Sequence, residues 1–113
     1  MQVENLNLRL GTDIVFMPRL EKQVNNQTFI NKVLTIKEQE IMNSLESSSR
    51  KLEFLAGRFA CKEAFAKALG TGIGETDFLD IEILRNDLGA PVSSQAQVSI
   101  SHDGDYCIAV VMV

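Results

Sequence analysis

The stretch Gly57–Gly74, GRFACKEAFAKALGTGIG, decides the fold. Between Phe54 and Leu69 the chain has eleven apolar residues, one glycine and four charges, so at about 100° per residue apolar side chains surround the helix axis. A helix of this pattern is buried on most sides and stands at the centre of its domain. It nevertheless keeps Arg58, Lys62, Glu63 and Lys67. Arg58 and Lys62 are one turn apart, as are Glu63 and Lys67, and the second pair points about 140° round from the first. Two separate charged spots result.

One reading makes Glu63 and Lys67 a routine ion pair and lets Arg58 and Lys62 reach solvent past apolar stems. Ala56 and Ala60 weigh against it, because they share the face of Glu63 and Lys67. Small side chains there admit a close neighbour, and charges beneath one need a strong partner such as a metal or a phosphate.

Outward from this helix, LNLRLGTDIVF (residues 6–16) predicts a strand interrupted at Gly11 and Thr12. Pro18 suits the first turn of a short helix running to about Val24, after which Asn25, Asn26 and Gln27 break the chain. A second short helix runs through FINKVL, and Thr35-Ile36-Lys37-Glu38 is a capping box that opens a third, ending near Ser44. One of Ser47 to Ser49 caps the central helix, helix-forming from Lys51 to Leu69 and stopped by Gly70. FLDIEILRND then reads as a strand, DLGAP as a turn, and VSISHDGDYCIAVVMV as a hairpin turning at Asp103-Gly104. The expected fold is α+β, a compact antiparallel sheet packed with the long central helix and shorter helices.

The chain has 113 residues, the size of a single domain spanning 1–113 that buries roughly two-thirds of its unfolded surface. With 45% apolar and 23% charged residues the composition is that of a soluble globular protein. The N-terminus has no basic region followed by an apolar one, and no apolar run is long enough for a bilayer, so a cytoplasmic location without membrane contact is expected. Cys61 and Cys107 lack metal-ligand spacing and read as small buried side chains. A net charge of -4 argues against a nucleic-acid surface. Any anionic ligand must be met by local cations, of which Arg50, Lys51, Arg58, Lys62, Lys67, Arg19 and Lys22 are available.

Asp13 is the one candidate companion for Glu63. It is a poor strand former, so either it bonds its own backbone as a turn acid or something else holds it. Two carboxylates are too few for calcium, and zinc would want histidines. Magnesium takes one or two carboxylates plus oxygens from a substrate phosphate, so two acids among cations suggest a magnesium-phosphate site. GTGIG lacks the lysine and hydroxyl of a phosphate-binding loop and follows a helix, so it reads as a helix stop and flexible loop. Ser101, His102 and Asp103 do not form a hydrolytic triad, because consecutive strand residues face opposite ways. His102, the only histidine, reads either as a partly exposed structural residue or as a phosphate contact.

Three segments in order, GTDIVFMPRL, FLAGRFACKEAFAKALGTGIG and VSISHDGDYCIAVV, resemble the holo-acyl-carrier-protein synthases, the small bacterial class of 4′-phosphopantetheinyl transferase. The similarity covers nearly the whole chain. It implies magnesium-dependent transfer of the phosphopantetheine arm from coenzyme A to a serine of an acyl carrier protein in fatty acid biosynthesis, by a homotrimer that binds the coenzyme between subunits. By the same resemblance Asp13 and Glu63 are the metal-binding acids, with Glu63 helping to draw the serine proton, and Lys67 lies beside the pyrophosphate. Arg58 and Lys62 fall on positions tied to coenzyme binding or local structure, and Arg50 lies near the phosphate-bearing end. Gly70, Thr71, Pro91 and His102 fall on coenzyme-binding positions, and Arg19 with Lys22 on the helix offered to the acidic carrier.

The chain departs from that pattern in three places. Phe16 stands where many relatives have a glutamate, Ala90 where a lysine precedes the proline, and the segment from Pro91 to Val98 is short where many insert a helix. Decay of activity to a module that only binds coenzyme A or a nucleotide is the alternative these changes raise.

Overall fold

The computed structural model describes residues 8–113. Strand β1 (Leu10–Phe16) leads into a 3-10 helix, Met17–Asn25, then helices α1 (Gln27–Val33), α2 (Ile36–Ser44) and α3 (Ser48–Leu69). A 3-10 turn, Phe78–Asp80, precedes the short strands β2 (Leu84–Arg85) and β3 (Pro91–Val92), and the chain closes with β4 (Gln97–Asp103) and β5 (Tyr106–Met112). The main sheet is antiparallel in the order β1-β5-β4, and β2 pairs with β3 alone.

Local chemistry explains the helix bounds. Asn26 does more than break the chain, since its side chain accepts from the Phe29 amide and so starts α1. Thr35 and Glu38 form the reciprocal capping box of α2. Ser47, one of the three serines expected to cap α3, does so by accepting from the Arg50 amide at 3.2 Å, and the helix begins at Ser48, three residues before Lys51. Gly70 ends it with φ 76, a left-handed conformation that glycine adopts without a Cβ penalty.

The face of the sheet turned toward α3 carries Gly11, Val15, Cys107, Ala109 and Val111, all buried. They pack against Ala56, Ala60, Cys61 and Ala64 of the helix. The other face is apolar but exposed, with Leu10, Ile14 and Phe16 of β1 beside Ile108, Val110 and Met112 of β5. Phe16 lies across from Tyr106, their rings tilted with centroids 5.3 Å apart.

The expected break at Gly11 and Thr12 is absent. The strand runs through both, and residues 6–7 of the anticipated strand lie outside the described residues. Gly11 serves proximity instead: a Cβ there would sit 1.8 Å from the Ala64 carbonyl oxygen and 2.8 Å from the Ala68 amide nitrogen. The hairpin turn falls one residue later than expected, at Gly104 and Asp105, because Asp103 still pairs with Tyr106 and Gly104 takes φ 57.

FLDIEILRND is not one strand. Ile81 and Ile83 alternate into the core as a strand would, but the backbone beside them is bonded mainly by side chains. Glu38 accepts from the Ile83 amide, Arg58 donates to the Ile83 and Leu84 carbonyls, and Gln95 accepts from the Glu82 amide.

Gly11→Ala should force the β1 and α3 backbones apart and cost about 3 kcal/mol in denaturant unfolding; an unchanged midpoint would show that the close approach is not needed.

Candidate active site

Along β1 every second side chain faces α3, and Asp13 follows Gly11 on that face. Its carboxylate accepts from the Lys67 ammonium at 3.1 Å. Glu63, one turn before Lys67, stands close enough that the Asp13 charge acts on it. Partial burial first, then Asp13, raise its pKa above the ordinary carboxylate range, with Lys67 pulling the other way. Among the described residues Glu63 has neither a hydrogen-bond nor an ion-pair partner. Asp13, Glu63 and Lys67 therefore meet at one place, and the Asp13 carboxylate bonds a side chain across the fold, not its own backbone.

A second group gathers nearer the other end of α3. A cleft of about 330 Å³ is lined by Arg50, Glu53, Arg58, Arg85, Pro91 and His102, with Phe54 and Ile100 on its apolar side. Phe54 lies under the Arg58 guanidinium, whose carbon is 4.1 Å from the ring centroid. Burial pulls the Arg58 pKa down to about 10, and the neighbouring Arg85 charge adds to the pull against the opposing effects of Cys61 and Glu38. Arg58 still stays charged near neutrality. His102 Nδ1 lies 3.4 Å from Glu53. Ser101 and His102 take opposite faces of β4, as expected.

Lys62 does not reach this cleft. Fully buried, its ammonium donates to Glu38 at 2.6 Å and to the Val33 carbonyl at 2.7 Å. Burial lowers its pKa, with Glu38 opposing the shift. The same Glu38 carboxylate accepts from the Thr35 amide at 2.8 Å and the Ile83 amide at 2.7 Å, so one buried ion pair joins α2, α3 and β2's approach. The solvent-reaching reading of Lys62 gives way to a buried network, and of the two roles the resemblance implied, coenzyme binding or local structure, these contacts are of the structural kind.

Gly70 and Thr71 sit beyond the C-terminus of α3, away from the cleft, where the Thr71 hydroxyl meets Thr76. Arg19 and Lys22 are exposed on the 3-10 helix. At three residues per turn they stack on one outward face while Met17 and Leu20 take the buried one. Both cysteines are free and fully buried, their thiols pushed up by burial to about 12 for Cys61 and about 11 for Cys107. Sequence reasoning missed Arg85 and saw Glu38 only as a cap.

A sequence model of the 4′-phosphopantetheinyl transferase superfamily matches residues 9–111. The chain belongs to this superfamily. It is 47% identical over 112 residues to the holo-(acyl-carrier-protein) synthase of Geobacillus sp. (strain WCH70), covering 92% of this chain and 93% of that protein. The Streptococcus thermophilus (strain CNRZ 1066) synthase is 49% identical over 110 residues, with 91% and 92% covered. Among solved structures, the holo-(acyl-carrier-protein) synthase of Bacillus anthracis str. Ames in complex with CoA (3′,5′-ADP) superposes with a TM-score of 0.81 at 41% identity, covering 92% of this chain and 93% of that one. The Helicobacter pylori synthase in complex with coenzyme A gives 0.76 at 36% identity, covering 90% and 96%. This transferase-superfamily member thus shares most of its fold with synthases of that name.

Lys62→Met should destabilise the protein by about 3–5 kcal/mol in urea unfolding, because Glu38 would be left buried and uncompensated; a loss under about 1 kcal/mol would mean that water reaches the pair.

Proposed function

We propose that the chain is a cytoplasmic holo-acyl-carrier-protein synthase, which moves the 4′-phosphopantetheine group of coenzyme A to a serine of apo acyl carrier protein and releases adenosine 3′,5′-bisphosphate for fatty acid biosynthesis. The observation that carries this reading is the meeting of Asp13, Glu63 and Lys67 across the β1–α3 contact.

Two neighbouring carboxylates, one without a protein partner among the described residues and with raised proton affinity, suit a hard cation. No group of three or more potential metal-ligating side chains occurs among the described residues, which fits magnesium completed by water and substrate phosphate better than calcium or zinc. Asp13 and Glu63 would hold Mg²⁺, and when bound it would neutralise charge on the phosphoryl oxygens. Lys67, already oriented by Asp13, donates to the diphosphate bridge. Glu63 draws the proton from the attacking serine hydroxyl. The serine oxygen then bonds to phosphorus as the phosphorus–oxygen bond to the nucleotide side breaks, with Lys67 steadying the leaving oxygen.

Arg50, Arg58, Pro91 and His102 line the cleft assigned to the coenzyme, with Gly70 and Thr71 beside the diphosphate end. Arg19 and Lys22 offer stacked cations to the acidic carrier, an attraction that salt weakens. A homotrimer is supported by the exposed apolar face of the main sheet, whose continuous Leu, Ile, Val and Met side chains are of the kind that association buries.

Incubation with coenzyme A, Mg²⁺ and apo carrier protein should add the mass of the prosthetic arm to the carrier, and Glu63→Gln should abolish the gain while the fold persists. No gain with the wild-type protein, beside an active control enzyme, would remove the transferase reading. In the same assay Arg19→Glu should raise the carrier KM, and an unchanged KM would reject that docking face. Sedimentation velocity should show a species of three chains; a monomer at micromolar concentration would reject the trimer.

A further inference from the structure

Resting on the transferase reading, we propose that Arg85 is a specificity-determining residue: its guanidinium engages the phosphate monoester on the ribose of coenzyme A and so separates that donor from its dephosphorylated form. Coenzyme A carries two anionic parts, the diphosphate bridge and the ribose monoester. Asp13, Glu63 and Lys67 are assigned to the first. The second needs cations elsewhere, and Arg50, Arg58 and Arg85 converge on the one cleft.

Arg85 also lines, again with Arg50, an adjoining hollow of about 350 Å³. Glu53 borders the cleft and Glu46 the hollow, yet among the described residues the ion pairs are Lys62–Glu38, Lys67–Asp13 and His102–Glu53. Among the described residues neither Arg50 nor Arg85 has an ion-pair partner. Arg85 lies near enough to Arg58 for its charge to act on it, behind burial, Cys61 and Glu38, and cations that share a cleft repel one another until an anion lies between them. A phosphate monoester is close to doubly charged near neutral pH and accepts the planar guanidinium fork through two parallel bonds.

The backbone that carries Arg85 is fixed. Arg58 bonds the Ile83 and Leu84 carbonyls at 3.0 and 2.7 Å, Glu38 accepts from the Ile83 amide, and Arg85 itself pairs with Pro91. Ala90, beside Pro91, brings no charge. Arg58 has spent two donors on the backbone, whereas among the described residues the Arg85 guanidinium has no ion-pair partner and can offer its donors to a ligand.

The test compares coenzyme A with 3′-dephospho-coenzyme A as donors for wild type, Arg85→Met and Arg85→Lys. For Arg85→Met we expect the coenzyme A KM to rise about tenfold with kcat unchanged, while the KM for the dephospho donor stays put. Arg85→Lys should recover part of the loss, since it restores charge without the fork. Equal losses with both donors, or none with either, would overturn the proposal. Calorimetric binding of adenosine 3′,5′-bisphosphate against adenosine 5′-monophosphate gives the same comparison without turnover: only the bisphosphate should weaken in Arg85→Met, and parallel behaviour of the two would overturn the proposal. A wild-type protein that never modifies the carrier would sink the transferase reading instead, an outcome separate from any result on Arg85.

Discussion

A strand can lie directly on a helix backbone only where neither brings bulk to the contact. In this protein that place is Gly11 against Ala64 and Ala68, where even a methyl group would collide with the Ala64 carbonyl. The close approach fixes the height of β1 above α3. With a period of two along the strand, it also fixes that Asp13 comes down beside Glu63 and Lys67. A bulkier residue would lift the acid off the helix, whatever its own chemistry. Spatial order in the acidic site is thus a result of backbone sterics first and of charge second.

The charges of α3 divide by the partners they find. Lys62 and Arg58 spend hydrogen bonds on the fold, Lys62 on Glu38 and the Val33 carbonyl, Arg58 on the carbonyls of Ile83 and Leu84. Satisfied in this way, they are tolerated deep in the protein. Among the described residues Glu63 has no side-chain partner, and partial burial with the Asp13 charge raises its pKa, a condition that a bound cation would relieve. Residues on one helix, within two turns, therefore serve opposite ends: some saturate the interior and one faces the site with no protein partner among the described residues.

Much of this was legible from local pattern. The capping box at Thr35 and Glu38, the glycine stop at Gly70 and the long apolar helix all rest on neighbours within four residues, and each formed as expected. The bond of Asp13 to Lys67 spans 54 positions in the chain and was not foreseen; Asp13 as companion to Glu63 was read from its misfit in a strand and from the resemblance to known transferases. The fate of Lys62 was not legible, because its partner Glu38 lies 24 residues away and already had a local role as a cap. FLDIEILRND misled for a related reason. Alternating Ile81 and Ile83 record which face is buried but are silent on whether a strand or a set of side chains takes up the backbone bonds. Gly11 was visible as a glycine, yet read as a break, since sequence does not say how near the neighbouring helix stands.

The Ile83–Leu84 backbone is gripped through its amide and carbonyls, groups common to every residue type. Side-chain identity at the exposed position 85 is thereby uncoupled from the anchoring. Such a rim tolerates mutational drift while its scaffold stays put, so relatives can diversify there, acquiring altered ligand preference without first surrendering foldedness.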